Sequence, residues 1–107
     1  MTAQEHIDFA YKQIAWHISQ IEWARLQIAW CNDRLKQARK DDTELKAFAM
    51  ADRPDDPMTA RIFGGKYIGT ETRKLMNERA RYYRDIKSGE RWIAKYRKQI
   101  SDFSRYL

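Results

Sequence analysis

The chain has 107 residues, of which 43% are hydrophobic and 34% are charged, and its formal net charge is +6. This length fits one domain, and the apolar share excludes a wholly disordered chain. The single cysteine, Cys31, excludes an internal disulfide, and the small numbers of glycine (4) and proline (2) favour long uninterrupted helices.

The N-terminal residues Met1–His6 lack a basic segment followed by an apolar run, so we expect no secretory signal. No stretch approaches the ~20 apolar residues that a membrane-spanning helix needs. The sequence therefore predicts an intracellular, cytoplasmic protein that does not use a membrane as a partner.

The first segment, about residues 3–40, repeats every seven residues. One row is aliphatic and consists of Ile7, Ile14, Ile21, Ile28 and Leu35. The adjacent row is mostly small and consists of Ala10, His17, Ala24, Cys31 and Ala38. This pattern predicts a long helix whose seam of Ile and small residues packs closely against an antiparallel neighbour.

An aromatic row lies on another face of the same helix, roughly 200° from the aliphatic row. We call it the aromatic row, and its members are Phe9, Trp16, Trp23 and Trp30. One neighbouring helix cannot cover both faces, and each buried aromatic side chain removes about 150–250 Å² from water. We therefore predict a partner or oligomer interface formed by Phe9, Trp16, Trp23, Trp30, Ile14, Ile21 and Ile28.

Two polar seam residues invite other interpretations. His17 is a candidate for fixing the register of helix pairing or for sensing pH, but we expect it to be satisfied by a neighbouring glutamine or by water. Cys31 is expected to be a small core residue. No Cys/His cluster has the spacing of a zinc site, so we predict no metal and no cofactor.

The connector, residues 41–69, breaks the heptad pattern. Asp41-Asp42-Thr43 predicts an N-cap for a short helix over about residues 44–51. Asp56 followed by Pro57 predicts the start of a second short helix, which Gly64-Gly65 would end. Gly64-Gly65-Lys66 lacks the earlier glycine and the following Ser or Thr of a phosphate-binding loop, so it predicts no nucleotide site.

The last segment, about residues 70–106, again repeats every seven residues, with Thr70 as the expected N-cap. Its two apolar rows are Ile86, Ile93, Ile100 and Leu107, and Leu75, Tyr82, Gly89, Tyr96 and Phe103. The heptad phase continues across Ser88-Gly89, which favours one helix, locally weakened or kinked, over two. Gly89 is expected to admit a bulky neighbour, such as a tryptophan of the first helix.

The C-terminal segment is strongly basic, because residues 61–107 contain thirteen Lys and Arg against five Asp and Glu. Cations interleaved with aromatics are typical of nucleic-acid-binding proteins. The candidate binding residues are Arg81, Arg84, Lys87, Arg91, Lys95, Lys98 and Arg105. The solvated face of an amphipathic helix gives the same pattern, and we favour that interpretation over nucleic-acid binding.

These patterns predict a single all-α domain over residues 1–107. In it, two long heptad-patterned helices form an antiparallel hairpin, with one or two short helices between them, and oligomerisation completes a bundle. No catalytic constellation is recognisable, so we expect a non-enzymatic assembly or protein-interaction module, with a homodimer favoured and no small-molecule substrate. The alternatives are a nucleic-acid-binding accessory protein, and a small inhibitor or adaptor that docks on a larger complex.

Overall fold

The structure, a computed structural model, describes residues 1–107 and contains three helices. These are α1 (Ala3–Asp52), α2 (Pro57–Phe63) and α3 (Thr70–Ser104). α1 packs antiparallel against α3, which confirms the predicted all-α helical hairpin. None of the helices combines the length and the apolar character needed to cross a bilayer. The residues divide into two compact units, one formed by Met1–Ile28 with Ala80–Leu107 and the other by Ala29–Arg79.

The two seam rows of α1 are the buried side of that helix. Every residue of the aliphatic row, from Ile7 to Leu35, is buried, and so is every residue of the small row except the half-buried His17. Small residues in this row let α3 approach closely, while the Ile side chains fill the space beside them. The heptad pattern therefore identified the packed face of α1 correctly.

In the first unit the core is formed by Ile14, Ile21 and Ile93, with Ile86, Tyr96 and Ile100 packed against it. α3 continues without a break through Ser88-Gly89, as its heptad phase predicted. Gly89 is buried and does admit a bulky neighbour, but that neighbour is Ile21 and not a tryptophan. The reason is that Ile21 lies in the seam, whereas the tryptophans lie on another face of α1.

In the second unit the core is formed by Leu35, Ala38 and Leu75, with Met76 packed against it. Arg79 stands where the aliphatic row of α3 is interrupted. Its Nη1 atom donates a hydrogen bond of 2.9 Å to Oδ1 of Asn32 on α1, so this layer is held by a polar pair.

The prediction that the first helix ends near residue 40, and that a separate short helix covers residues 44–51, is wrong. α1 is continuous to Asp52. The Thr43 hydroxyl donates to the carbonyl of Arg39, a bond made inside a helix. The Asp42 carboxylate accepts from the Gly69 N–H (3.0 Å) and from the Thr72 hydroxyl (2.6 Å). Asp42 therefore ties the start of α3 to α1. The residue that precedes the helix is Gly69, one position before the predicted cap at Thr70.

The predicted second short helix is confirmed as α2. The Asp56 side chain accepts from the Met58 N–H at 3.0 Å, and Pro57 occupies the first turn, where its missing N–H has no cost. Gly64 follows the last helical residue, as predicted.

Candidate functional site

The aromatic row is not enclosed by its own chain. In the first unit Phe9 is 44% exposed, Trp16 is 56% exposed and Trp23 is 51% exposed. In the second unit Trp30 is 47% exposed. Aromatic side chains of this size usually bury most of their area, so these positions leave apolar surface in contact with water.

Side chains of the hairpin cover one side of most of these rings. Phe9 meets Tyr96 edge-on, with 6.2 Å between ring centroids, and Trp23 meets Tyr82 edge-on at 5.5 Å. In the second unit the Arg34 guanidinium lies 5.0 Å from the centroid of the Trp30 ring. Contacts of this kind favour one orientation of a ring, which lowers the entropic cost of binding a partner on its open side.

A cleft of about 260 Å³ lies among the tryptophans of the first unit. We call it the aromatic groove. Trp16 and Trp23 of α1 line it together with Trp92 of α3, and Ile21 and Gly89 also contribute to its walls. At Gly89 the wall on the α3 side is backbone only, and Ile21 packs against it. Its polar lining residues are His17, Gln20, Asp85 and Ser88.

His17 lies among aromatic rings of both helices. The His17 and Trp92 rings are nearly parallel, with 6.2 Å between their centroids and 3° between their planes. The Trp16 ring meets His17 edge-on, with a centroid distance of 4.9 Å. It also lies 6.0 Å from Tyr96. His17 therefore links the aromatic residues of the two helices in this unit.

Trp92, which the sequence interpretation did not single out, is 44% exposed beside the groove. The Lys95 ammonium lies over its ring, 4.7 Å from the ring centroid. The available signal was its spacing of four residues from Tyr96, which places both on one side of α3. As a single aromatic outside the two heptad rows, it did not stand out.

The three isoleucines predicted for the interface lie elsewhere. Ile14, Ile21 and Ile28 are at most 9% exposed and face the interior of the chain. They position the aromatic row by fixing α1 against its surroundings, and they offer no surface to a partner in this conformation.

The seven candidate cations of α3 are all exposed. None of them takes part in an ion pair, since the two ion pairs of the molecule join Arg34 to Glu71 and Arg53 to Asp52. The Arg81 guanidinium lies over the Tyr82 ring at 5.3 Å, as Lys95 lies over Trp92. The other five are likewise without an ion pair: Arg84, Lys87, Arg91, Lys98 and Arg105.

Cys31 is fully buried and is the one free thiol. Burial raises the pKa of the thiol, the nearby Glu78 raises it further, and Arg79 partly opposes them. A thiol of raised pKa is a poor nucleophile near neutral pH, so Cys31 acts here as a small core residue.

Fold and surface together define the chain as an all-α helical hairpin with a half-exposed row of aromatic side chains. Comparison with known protein families, with curated proteins and with solved structures finds no match to it.

Proposed function

We propose that this chain is a non-enzymatic helical assembly module whose aromatic row packs against a second copy of the chain. The observation that supports this proposal is that the aromatic row stays about half exposed, although the seam of the same helix is buried apart from the half-buried His17. An amphipathic helix needs only one buried face to fold, and in α1 that face is the seam. The aromatic row is a second apolar face, and we infer that it contacts another molecule.

The exposed aromatic area is large enough to drive association. If about half of each ring surface stays in water, the four rings expose roughly 400 Å², which corresponds to about 10 kcal/mol of gross burial energy per copy. Two such rows facing each other would bury about 800 Å², less than the ~1,200 Å² of a standard interface. The aromatic row would therefore form the centre of the interface, and surrounding polar side chains its rim.

The residues next to the aromatic row favour a second copy as the occupant. Gln13, Gln20 and Gln27 recur beside it on α1 and carry no charge, and the next position of that row is a single cation, Arg34. Two chains of net charge +6 can therefore approach through this face without placing a row of like charges in contact. A two-fold pairing would set the same residues against each other, as in most homodimers.

The test compares Trp23→Ala and Trp16→Ala with Tyr11→Ala. Tyr11 is an aromatic of α1 that is 58% exposed and lies outside the aromatic row. We expect the two tryptophan variants to shift toward the mass of one chain in light scattering, with helical circular dichroism unchanged, and Tyr11→Ala to match the wild type. Tryptophan variants that keep the wild-type mass would refute the proposal. A wild type that is monomeric, but binds a foreign protein through Trp23, would refute self-association and support the adaptor alternative.

The second candidate function is nucleic-acid binding through α3, and it is favoured by the seven exposed cations that have no ion-pair partner. Each phosphate contact releases counterions, so binding would weaken steeply as salt increases. We expect Arg84→Glu, Arg91→Glu and Lys98→Glu together to abolish a mobility shift at low salt. The control reverses the same number of exposed cations on α1: Lys12→Glu, Arg25→Glu and Lys36→Glu. No shift with the wild type, or equal losses in both triple variants, would count against a binding surface on α3.

A further inference from the structure

The segment between α2 and α3 is fastened to α1 at two points in the second unit. The Lys46 ammonium donates a hydrogen bond of 2.6 Å to the Gly65 carbonyl. The Gly69 N–H donates to the Asp42 carboxylate at 3.0 Å. Asp42 and Lys46 are one helical turn apart on α1. The intervening residues 66–68 therefore bridge two fixed points.

Residues 66–68 line a cleft with a volume of about 600 Å³. We call it the cationic cleft. Small-molecule sites in proteins usually measure about 300–1,000 Å³. Its lining combines three basic side chains, one acidic side chain, hydroxyl groups and apolar side chains: Arg39, Asp42, Thr43, Lys46, Lys66, Tyr67, Ile68, Thr72 and Met76.

The charges of the cleft favour an anion. Arg39, Lys46 and Lys66 line it, and none of them takes part in an ion pair. The one carboxylate is that of Asp42, whose Oδ2 atom already accepts from the Gly69 N–H and the Thr72 hydroxyl. The Lys46 ammonium has further N–H groups beyond the one bonded to Gly65. The cleft thus holds three cations against one carboxylate, whose Oδ2 atom is already hydrogen-bonded.

The apolar side chains of the cleft indicate more than a bare inorganic ion. Tyr67, Ile68 and Met76 are all half-buried and face the same space. A tyrosine ring and a methionine thioether pack well against a flat ring. A ligand with a ring and an anionic group would satisfy both parts of the lining.

We propose that the cationic cleft binds a small organic anion, with a flat apolar body against Tyr67 and Met76 and a phosphate or carboxylate held by Arg39 and Lys66. Arg39 supplies the planar fork that matches such anions, and Lys66 adds a point charge. The Lys46 and Asp42 hydrogen bonds position the bridge. This site lies within the second unit and does not depend on the proposed self-association.

The test uses three probes on the full chain at low salt: adenosine monophosphate, phenyl phosphate and benzoate. Binding is followed by calorimetry and by NMR of the Ile68 and Met76 methyl groups. We expect at least one probe to saturate and to shift both methyl signals, while inorganic phosphate alone binds more weakly. The double variant Arg39→Ala/Lys66→Ala should lower that affinity by about tenfold or more.

The matched control is Lys36→Ala/Lys74→Ala, which removes two exposed cations of the same unit from outside the cleft. It should bind the probe as the wild type does. The proposal is overturned if none of the three probes saturates, or if the control pair loses as much affinity as the cleft pair. It is also overturned if inorganic phosphate binds as tightly as the organic probes, since the apolar lining would then contribute nothing.

Discussion

Ile21 of α1 occupies the space that a side chain at position 89 of α3 would need. A Cβ atom added to Gly89 would lie 3.0 Å from Cγ1 and 3.1 Å from Cδ1 of Ile21. Distances this short are tighter than ordinary packing, so the glycine permits the close contact of the two helices in this unit. Ile21 and Gly89 also line the aromatic groove, together with Trp16, Trp23 and Trp92.

A large side chain at position 89 should therefore separate the helices of this unit. We expect Gly89→Leu to lower the free energy of unfolding by about 1–3 kcal/mol, the usual range for overpacking. Lys87→Leu, which adds the same side chain at an exposed position of α3, should change it by no more than ~0.5 kcal/mol. Chemical denaturation of both variants is the measurement, and equal stabilities would contradict the packing described for Ile21.

Asp42 should matter far more for stability than its neighbour Asp41. Asp42→Ala removes the acceptor for the Gly69 N–H and the Thr72 hydroxyl, so we expect a loss of about 1–2 kcal/mol. Asp41 accepts only from Gln37 in an exposed pair, and Asp41→Ala should cost less than ~0.5 kcal/mol. Hydrogen exchange at the Gly69 amide should accelerate in the first variant alone; unchanged exchange there would show that Asp42 does not hold the start of α3.

Leu35 is the leucine whose truncation should be most damaging. It is 1% exposed at the centre of the second core, and we expect Leu35→Ala to cost about 2–5 kcal/mol. Leu26 of the same helix is 68% exposed, so Leu26→Ala should leave the free energy of unfolding within ~0.5 kcal/mol of the wild type. Thermal denaturation of the two variants checks this order, and a larger loss for Leu26→Ala would contradict the assignment of the seam.

The reactivity of Cys31 should depend on unfolding. Its thiol is fully buried and its pKa is raised by that burial, so the thiolate is scarce in the folded chain near neutral pH. We expect a disulfide reagent to modify it slowly in buffer and rapidly in concentrated guanidinium chloride. Because the raised pKa applies only to the folded state, the contribution of this thiol to stability is complete below its ordinary pKa and declines as the pH rises beyond it. Fast modification of the native chain would contradict the burial.

The hairpin and its seam were predictable because both depend on a repeat of seven residues. Ile7 to Leu35 and Ala10 to Ala38 identify one face of α1 without any knowledge of what covers it. The exposure of the basic residues of α3 followed from the same periodicity, since they fall outside the two apolar rows.

Features that depend on distant partners were not predictable. Asp41-Asp42-Thr43 resembles a helix start, yet α1 continues through it. Asp42 instead forms hydrogen bonds with Gly69 and Thr72, which lie 27 and 30 positions later in the chain. The cationic cleft draws its lining from both long helices and the segment before α3, so no single motif indicates it. Trp92 belongs to no repeating row, and only the approach of the helices at Gly89 brings it beside the groove.

The central claim, that a second copy covers the aromatic row, is tested most directly by sedimentation equilibrium of the wild-type chain over a range of concentrations, with acrylamide quenching of tryptophan fluorescence on the same samples. We expect twice the mass of one chain at high concentration, with quenching that weakens as the dimer forms. The mass of a single chain throughout, with tryptophans equally quenched at every concentration, would contradict it.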